Sequence, residues 1–151
     1  AKKGNKKAFD LPHPLKKDKN LNFSFSGIKT AVNLIVKKEK NHDQNFKSNM
    51  AASFQQKIGE ILKGKLEKIM DLQREKSINI SQVALVGGVA ANKCIYEILK
   101  KELFNYNCEL ILPPKKMLSD NAAMIGWACI QKYSKSNYSD ILFKENPRLT
   151  I

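Results

Sequence analysis

The stretch VALVGGVAANK, residues 83–93, decides the fold class of this chain of 151 residues. A short apolar run ends at Gly87 and Gly88, and small residues then lead to Asn92, where an amphipathic pattern begins. Short apolar runs bounded by turn residues are typical of strands that lie inside a parallel sheet. The stretch therefore predicts a buried strand that passes through a glycine turn into a helix.

The residues after this stretch complete a strand–helix–strand unit. Apolar side chains at helical spacing predict the helix, and they are Ile95, Ile98, Leu99 and Leu103. CELILPP, residues 108–114, predicts a second buried strand that ends at the two prolines. Two strands joined by one helix should be parallel, with a right-handed crossover. We therefore predict an α/β fold with a parallel βαβ core.

The chain before this core divides into a lead-in and helical segments. Residues 1–20 carry seven lysines and two aspartates and predict an irregular, solvated, basic lead-in. LNFSFS, residues 21–26, alternates apolar and polar side chains and predicts a half-buried strand. The period becomes helical at Gly27, with Ser26 placed to cap the first turn. Residues 21–151 are expected to form one α/β domain.

Two further helices are predicted, the first of them from apolar spacing. One runs over residues 46–73 and contains Gly59 and Gly64, which hint at close packing. The other follows SDNAAMIGWACIQKY, residues 119–133, whose small side chains would allow close approach to a sheet. Trp127 falls at core spacing within it. Residues 134–151 predict an irregular tail.

The charge of the chain makes a polyanionic partner plausible. The formal net charge is +13, yet all but two of the 27 basic residues are lysines. Arginine is favoured where phosphates are gripped by paired hydrogen bonds, so the lysine excess suits general solvation as well as it suits nucleic-acid binding. Charge alone leaves both possibilities open.

Cysteines, histidines and apolar runs exclude several classes. Cys94, Cys108 and Cys129 form no C-x-x-C pair and predict buried, reduced thiols in a cytoplasmic protein. His13 and His42 are isolated in polar surroundings and are poor metal ligands. No apolar run is long enough to span a bilayer, and no secretory signal pattern is present, which argues against a membrane partner. The chain opens at Ala1 without methionine, as after initiator removal or in a fragment.

Gly87, Gly88 and Asn92 are the first candidate site. Ligands of parallel sheets collect beyond the carboxyl ends of the strands, where glycine lets the backbone approach a ligand closely. Asn92 is placed to cap the helix or to hydrogen-bond a ligand. The pattern is neither G-x-G-x-x-G nor a P-loop. An ordinary tight turn remains the alternative.

Asp120 is the second candidate, because it follows the second strand at the same expected edge of the sheet. A carboxylate at this position suits a helix cap, or it could hold a hard or borderline cation in the same cleft. Lys115 and Lys116 would line the approach. Ser24 and Ser26 have no neighbouring His–Asp arrangement that would make either a nucleophile.

Three segments together resemble the TsaD family, the tRNA threonylcarbamoyladenosine transferases formerly called sialoglycoprotein endopeptidases. FSFSGIKTAV (23–32), LVGGVAANK (85–93) and SDNAAMIGWA (119–128) occur in the family's order and spacing. The closing NPRLTI, residues 146–151, is similar to the family's final Pro-Arg segment. The resemblance implies one lobe of the actin and sugar-kinase-like fold, corresponding to the carboxy-terminal half of the family enzyme.

The resemblance also implies a function and a set of site residues. The family enzyme transfers threonylcarbamoyl from its adenylate to adenosine 37 of tRNAs that read codons beginning with A. Gly87, Gly88 and Asn92 would then hold ATP or the adenylate, and Asp120 would bind a divalent metal ion, usually iron. tRNA and TsaB-like and TsaE-like proteins are the implied partners. Catalytic residues and the role of Ser24–Gly27 are not implied.

The chain departs from the family pattern in one large respect. The family has two more metal ligands in an H-x-x-x-H pair, and this chain contains no such pair. The chain is therefore expected to be half of a transferase, inactive alone. The alternatives are a non-catalytic nucleotide- or tRNA-binding module of the same ancestry, and a structural adaptor that binds a partner helix through residues 46–73.

Overall fold

The computed structural model of the chain describes residues 1–16 and 20–134. The elements follow in the order α1 (Ser26–Lys38), α2 (Gln44–Glu75), β1 (Gln82–Ala84), α3 (Lys93–Phe104), β2 (Glu109–Ile111) and α4 (Ala122–Ser134). The 3-10 turns Gly88–Ala91 and Lys115–Met117 precede α3 and follow β2. The chain divides into two compact units, Ala1–Leu118 and Ser119–Ile151.

The parallel βαβ unit predicted from the sequence is confirmed. β1 pairs with β2 in parallel, with Val83 opposite Leu110, and α3 connects them. The α/β class is therefore correct. The prediction that both strands are buried on both faces is wrong, because Gln82, Ala84, Glu109 and Ile111 are exposed. The sheet has two strands among the described residues, and only the face that carries Val83 and Leu110 packs on the core.

The strand predicted over residues 21–26 is wrong. Residues 21–25 are irregular, and α1 begins at Ser26. A strand needs a hydrogen-bonded neighbour, and in the described part of the chain β1 and β2 pair only with each other. Phe23 and Phe25 instead stack on each other with ring centroids 6.0 Å apart. The cap predicted at Ser26 is also wrong, since Phe25 occupies the cap position without a side-chain hydrogen bond.

The long helix α2 organises the first unit. It starts at Gln44 because the Asp43 side chain accepts a hydrogen bond of 2.6 Å from the Phe46 N–H. Ile61 on α2 packs with Leu11 and Ile28 in one core cluster. A second cluster of Met70, Leu103 and Cys108 joins α2 to α3, and Leu110 of β2 packs against it. The helix predicted over 46–73 is thus confirmed and is slightly longer than expected.

The lead-in is irregular over its described residues, yet it is not simply solvated. Leu11 is only 2% exposed and belongs to the core cluster with Ile28 and Ile61. The Nζ of the buried Lys65 donates to the carbonyl oxygens of Leu15 and Asn20, at 3.4 and 2.7 Å. The segment is therefore held against α2, although the proposed division at residue 20 stays a prediction.

The described part of the second unit consists of residues 119–134. Helix α4 is confirmed, and the Asn121 side chain accepts a hydrogen bond of 3.0 Å from the Met124 N–H at its start. Trp127 is 63% exposed, so its predicted place in a core is wrong. Cys129 is exposed as well, whereas Cys108 is buried as predicted. These described residues form a single helix, so they offer no second element that could cover it. The irregular tail was predicted for residues 134–151; Ser134 belongs to α4, and residues 135–151 lie outside the described residues.

Candidate functional site

The glycine turn follows β1 directly and has a conformation that only glycine adopts readily. Gly87 has φ +86° and ψ 169°, a region that side chains with a β-carbon avoid. Its carbonyl oxygen accepts a hydrogen bond of 3.0 Å from the Ala90 N–H, which starts the 3-10 turn Gly88–Ala91. Gly87 is therefore required by the path of the chain.

Gly88 has a different environment. Its φ is not positive, and a β-carbon built on it would meet nothing within 4 Å. Neither backbone conformation nor packing within the described residues demands glycine there. The turn instead leaves open space above Gly88, which is the condition for close approach of a ligand to the backbone.

Asn92 caps α3, as the sequence predicted. Its Oδ1 accepts hydrogen bonds from the N–H groups of Cys94 and Ile95, at 3.0 and 3.3 Å. Asn92 also lines a cavity of about 740 Å³ that lies beside the glycine turn. The cap uses the oxygen of the side chain, and the amide nitrogen carries the two donors that a ligand could accept. The cap and ligand roles proposed for Asn92 are therefore compatible.

This cavity, which we call the glycine-turn cavity, brings two of the three sequence motifs together. Phe25 and Lys29 of the FSFSGIKTAV segment line it with Gly88 and Asn92. Most of its remaining wall is apolar, and the other lining residues are Ala1, Ala51, Phe54, Gln55, Ile58, Leu62, Leu85, Val86, Val89 and Ile95. An apolar cavity with a few polar groups is the usual form of a small-molecule site.

Sequence reasoning did not identify Lys29 as a site residue. It lies in the first turn of α1, next to Ile28, which is fully buried in the core. Because Ile28 anchors the inner face of α1, Lys29 can point along the cavity wall while its ammonium group remains in water. The available signal was its position inside the FSFSGIKTAV segment.

A smaller cavity of about 520 Å³ lies on the other side of the 3-10 turn. Ala90 and Ala91 of the turn line it, together with Lys93, Tyr96 and Leu112. Lys115, which we predicted to line the approach to the site, is among its lining residues, and Lys116 is not. Glu97 also lines this cavity, so the end of β2 and the start of α3 meet at a second opening with side chains of both charges.

Asp120 lies in the second unit, outside the unit that contains the glycine turn. The hydrogen bond that caps α4 is made by Asn121, not by Asp120. The residues 1–16 and 20–134 contain no group of three His, Cys, Asp or Glu side chains able to hold a metal ion. Asp120 is thus a single carboxylate, and its place in the same cleft as Gly87 stays a prediction.

The remaining polar candidates have structural roles. The hydroxyl groups of Ser24 and Ser26 lie 3.2 Å apart and bond to each other. His42 contacts the Val36 carbonyl oxygen at 2.9 Å through Nε2 and stacks on Phe46. None of these groups lies among the residues that line the glycine-turn cavity.

A charged groove of about 560 Å³ along α2 contains His13, Lys63, Asp71 and Tyr106. Burial lowers the pKa of His13, and nearby lysines lower it further. Burial also raises the pKa of Tyr106 to about 12, with a second contribution from its hydrogen bond of 2.9 Å to Asp71. A tyrosine with this pKa stays protonated at neutral pH, so the groove does not offer it as a general base.

Comparison with known proteins agrees with these motifs. A sequence profile of the TsaD family, described as tRNA N6-adenosine threonylcarbamoyltransferase, matches residues 1–127. A protein of that name from Anaplasma marginale is 36% identical over 93% of this chain, and one from Rickettsia canadensis is 37% identical over 100% of this chain. A Wolbachia relative from Brugia malayi is 37% identical over 98%.

The chain is shorter than these relatives. It covers 41% of the Anaplasma protein, 45% of the Rickettsia protein and 43% of the Wolbachia protein. In the described residues no helix is long and apolar enough to cross a membrane. The resemblance inferred from the three motifs is confirmed, and the chain belongs to the TsaD family of tRNA N6-adenosine threonylcarbamoyltransferases.

Proposed function

We propose that this chain is one part of an enzyme that transfers a threonylcarbamoyl group to the N6 atom of adenosine in tRNA. The family match over residues 1–127 and the names of the relatives support this activity. The chain spans less than half of each relative, so the other part of the site is expected to come from outside it. The donor would be threonylcarbamoyl-adenylate and the acceptor adenosine 37 of tRNAs that read codons beginning with A.

The glycine-turn cavity is the proposed site for the adenylate or for ATP. Its volume of about 740 Å³ is in the range of small-molecule sites. Phe25, Phe54 and Val89 offer an apolar surface for a base or ribose. Lys29 offers a cation for a phosphate, and Asn92 offers amide donors. The accessible backbone at Gly88 would contact the ligand directly.

Threonylcarbamoyl transfer requires the cavity residues to bind the donor and to stabilise charge. The adenosine N6 attacks the carbamoyl carbon, the bond from that carbon to the phosphate oxygen breaks, AMP leaves, and the proton released from N6 passes to water. Lys29 would stabilise the negative charge that develops on the departing phosphate, and because its side chain is exposed, water would weaken this effect in the chain alone. Among the described residues we propose no general base, and the catalytic residues stay unassigned.

Asp120 remains the proposed metal ligand of this chain. One carboxylate suits a divalent cation such as iron, but a single ligand does not make a site, and the described residues supply no cluster of three. The remaining ligands would come from outside the chain. When bound, the metal ion would act as a Lewis acid toward a donor oxygen. TsaB-like and TsaE-like partners and a cytoplasmic location also stay predictions.

The non-catalytic alternative rests on the same cavity. A chain that covers less than half of its relatives could bind a nucleotide or tRNA without performing transfer. The adaptor hypothesis has less support, because Ile61 and Met70 of α2 are buried inside the fold and are not free for a partner helix. Catalysis by the complete protein separates the first two possibilities.

Variants at Asn92 test the proposed cavity. Asn92→Ala should weaken ATP binding and cost about 0.5–2 kcal/mol of stability, because it removes both the cap and the amide. Asn92→Asp should keep the cap and the stability, since its carboxylate accepts the same two hydrogen bonds, yet it should weaken ATP binding because a carboxylate repels phosphate. Calorimetric titration with ATP and urea unfolding measure the two effects.

Asn41→Asp is the matched control for charge. Asn41 is exposed and does not line the glycine-turn cavity, so the same change of charge there should leave ATP affinity unchanged. If Asn92→Asp binds ATP as tightly as the parent chain while remaining stable, Asn92 is only a helix cap. In that case the cavity is not the nucleotide site.

A further inference from the structure

We propose that residues 1–9, which we call the basic segment, form a fixed docking surface for the phosphate backbone of tRNA at the rim of the glycine-turn cavity. This inference rests on the proposed function, which supplies tRNA as the partner. The segment carries Lys2, Lys3, Lys6 and Lys7, and its first acidic neighbour is Asp10. The four lysines are exposed.

Hydrogen bonds to α2 fix the backbone of the basic segment. The Asn5 N–H donates to the Asn49 side chain at 2.8 Å, and the Phe9 N–H donates to the Ser53 hydroxyl oxygen at 3.1 Å. The Ser53 hydroxyl in turn donates to the Asn5 carbonyl oxygen at 3.3 Å. Ser53 is only 2% exposed, so the two bonds that it makes are partly buried, whereas the bond between Asn5 and Asn49 is exposed.

Close packing against α2 also fixes the basic segment. A β-carbon on Gly4 would overlap the carbonyl oxygen of Ser48, so the segment lies directly on the backbone of α2. The ring of Phe9 packs edge-on against Phe46, with centroids 5.4 Å apart, and Leu11 continues into the core. The lysines therefore project from a backbone whose conformation is already determined before any ligand binds.

The four ammonium groups are available to an external anion. None of them forms an ion pair with a carboxylate among residues 1–16 and 20–134, whereas Lys57 and Lys63 are paired with glutamates. Lysines on an ordered backbone lose less conformational freedom on binding than lysines on a random chain. Each phosphate that such a lysine neutralises releases a counterion, which favours binding at low salt.

The position of the segment relates it to the proposed chemistry. Ala1 lines the glycine-turn cavity beside Gly88 and Asn92, so Lys2 and Lys3 follow directly from its rim. A tRNA backbone bound along the lysines would therefore pass close to a donor bound in the cavity. Four exposed lysines beside the cavity favour a nucleic-acid acceptor, which carries many phosphates, over a free anion, which would need fewer cations.

The chemistry of the segment also argues against a lipid surface. Segments that bind membranes combine basic residues with exposed apolar side chains that insert between lipids. In the basic segment Phe9 turns toward Phe46, and the following Leu11 is buried. Lysine without an exposed apolar side chain matches a phosphate backbone better.

The test replaces Lys2, Lys3, Lys6 and Lys7 together by glutamine in the 151-residue chain. Affinity for an unmodified tRNA is measured by fluorescence anisotropy at several salt concentrations. The slope of the logarithm of affinity against the logarithm of salt should fall by about 3–4, since each phosphate contact contributes about 1. Affinity at the lowest salt concentration should fall about tenfold or more.

The matched control replaces Lys38, Lys40, Lys76 and Lys101 by glutamine, which removes the same charge from exposed positions outside the segment. The control variant should keep most of the affinity of the parent chain for tRNA and most of its dependence on salt. Equal losses in the two variants would overturn the inference in favour of general charge attraction. The inference would also be overturned if the basic-segment variant lost binding to anionic phosphatidylserine vesicles while its tRNA binding was unchanged, because the partner would then be a lipid surface.

ATP binding by the same variants separates this inference from the proposed function. Both lysine variants should bind ATP like the parent chain, because neither removes a polar group from the cavity wall. If tRNA affinity and salt slope are unchanged in the basic-segment variant, the inference is wrong and the nucleotide site is unaffected. Thermal midpoints equal to that of the parent chain confirm that all variants are folded.

Discussion

At the scale of single residues, two adjacent glycines have different reasons to be present. Gly87 has the positive φ that the turn requires, and Gly88 does not. Space is open around both, since a β-carbon at either would meet nothing within 4 Å. Backbone conformation therefore explains Gly87, and access for a ligand is the explanation we propose for Gly88.

Alanine substitutions separate these two reasons. Gly87→Ala should lower the free energy of unfolding by about 1–3 kcal/mol, because a β-carbon is strained in this backbone region. Gly88→Ala should change it by less than about 0.5 kcal/mol, as is usual for surface positions, but should weaken ATP binding. Urea unfolding and ATP titration of both variants measure the difference. Equal stability of the two variants would show that the turn accepts another conformation.

Sequence reasoning found the residues of this turn but not all of the cavity. Gly87, Gly88 and Asn92 were identified because a strand that ends in glycines is a local pattern. Lys29 was missed because it reaches the cavity only through the packing of α1 beside the glycine turn. More than fifty residues of chain separate Lys29 from that turn. Local patterns predict turns and caps, whereas a cavity depends on which elements meet.

At the scale of elements, the helices were predicted well and the strands less well. An amphipathic stripe specifies a helix by itself, and α1, α2 and α3 follow such patterns. A strand also needs a neighbouring strand to which it can form hydrogen bonds. In the described part of the chain, residues 21–25 have no such neighbour, although their side chains alternate. The paired strands β1 and β2 were predicted because a helix between them required a parallel arrangement.

The two glycines of α2 give a prediction at this scale. A β-carbon at Gly59 would lie 2.5 Å from Cδ1 of Ile98 on α3, whereas one at Gly64 would meet nothing within 4 Å. Gly64→Ala should therefore raise the free energy of unfolding by about 0.5–1 kcal/mol through helix propensity. Gly59→Ala should be less stable than Gly64→Ala by about 1 kcal/mol or more, because overpacking opposes that gain. Urea unfolding of both variants gives the comparison.

Shortening Ile98 provides the control. Ile98→Val removes Cδ1, the atom that approaches the new methyl group most closely. Gly59→Ala combined with Ile98→Val should therefore cost less than the sum of the two single substitutions. Strict additivity would mean that the contact between α2 and α3 does not explain the glycine.

At the scale of the whole molecule, the chain supplies only part of the proposed site. It covers less than half of each relative, and its described residues contain no three-ligand metal cluster. Holding a donor, a metal ion and an acceptor in one geometry can contribute about 7–11 kcal/mol to catalysis. Sequence reasoning could recognise this incompleteness only through the family motifs, because nothing in a local pattern reveals a ligand supplied from elsewhere.

The last prediction concerns Asp120 in the complete protein that contains this chain. Asp120→Ala should remove bound metal and transfer activity together, because the carboxylate would be a metal ligand. Asn121→Ala is the matched control, since Asn121 makes the capping hydrogen bond to the Met124 N–H. It should retain metal and activity and lose about 0.5–2 kcal/mol of stability. Elemental analysis, thermal midpoints and modified adenosine in tRNA are the three measurements. If Asp120→Ala retains its metal and only its midpoint falls, Asp120 stabilises the start of α4 and the metal site lies elsewhere.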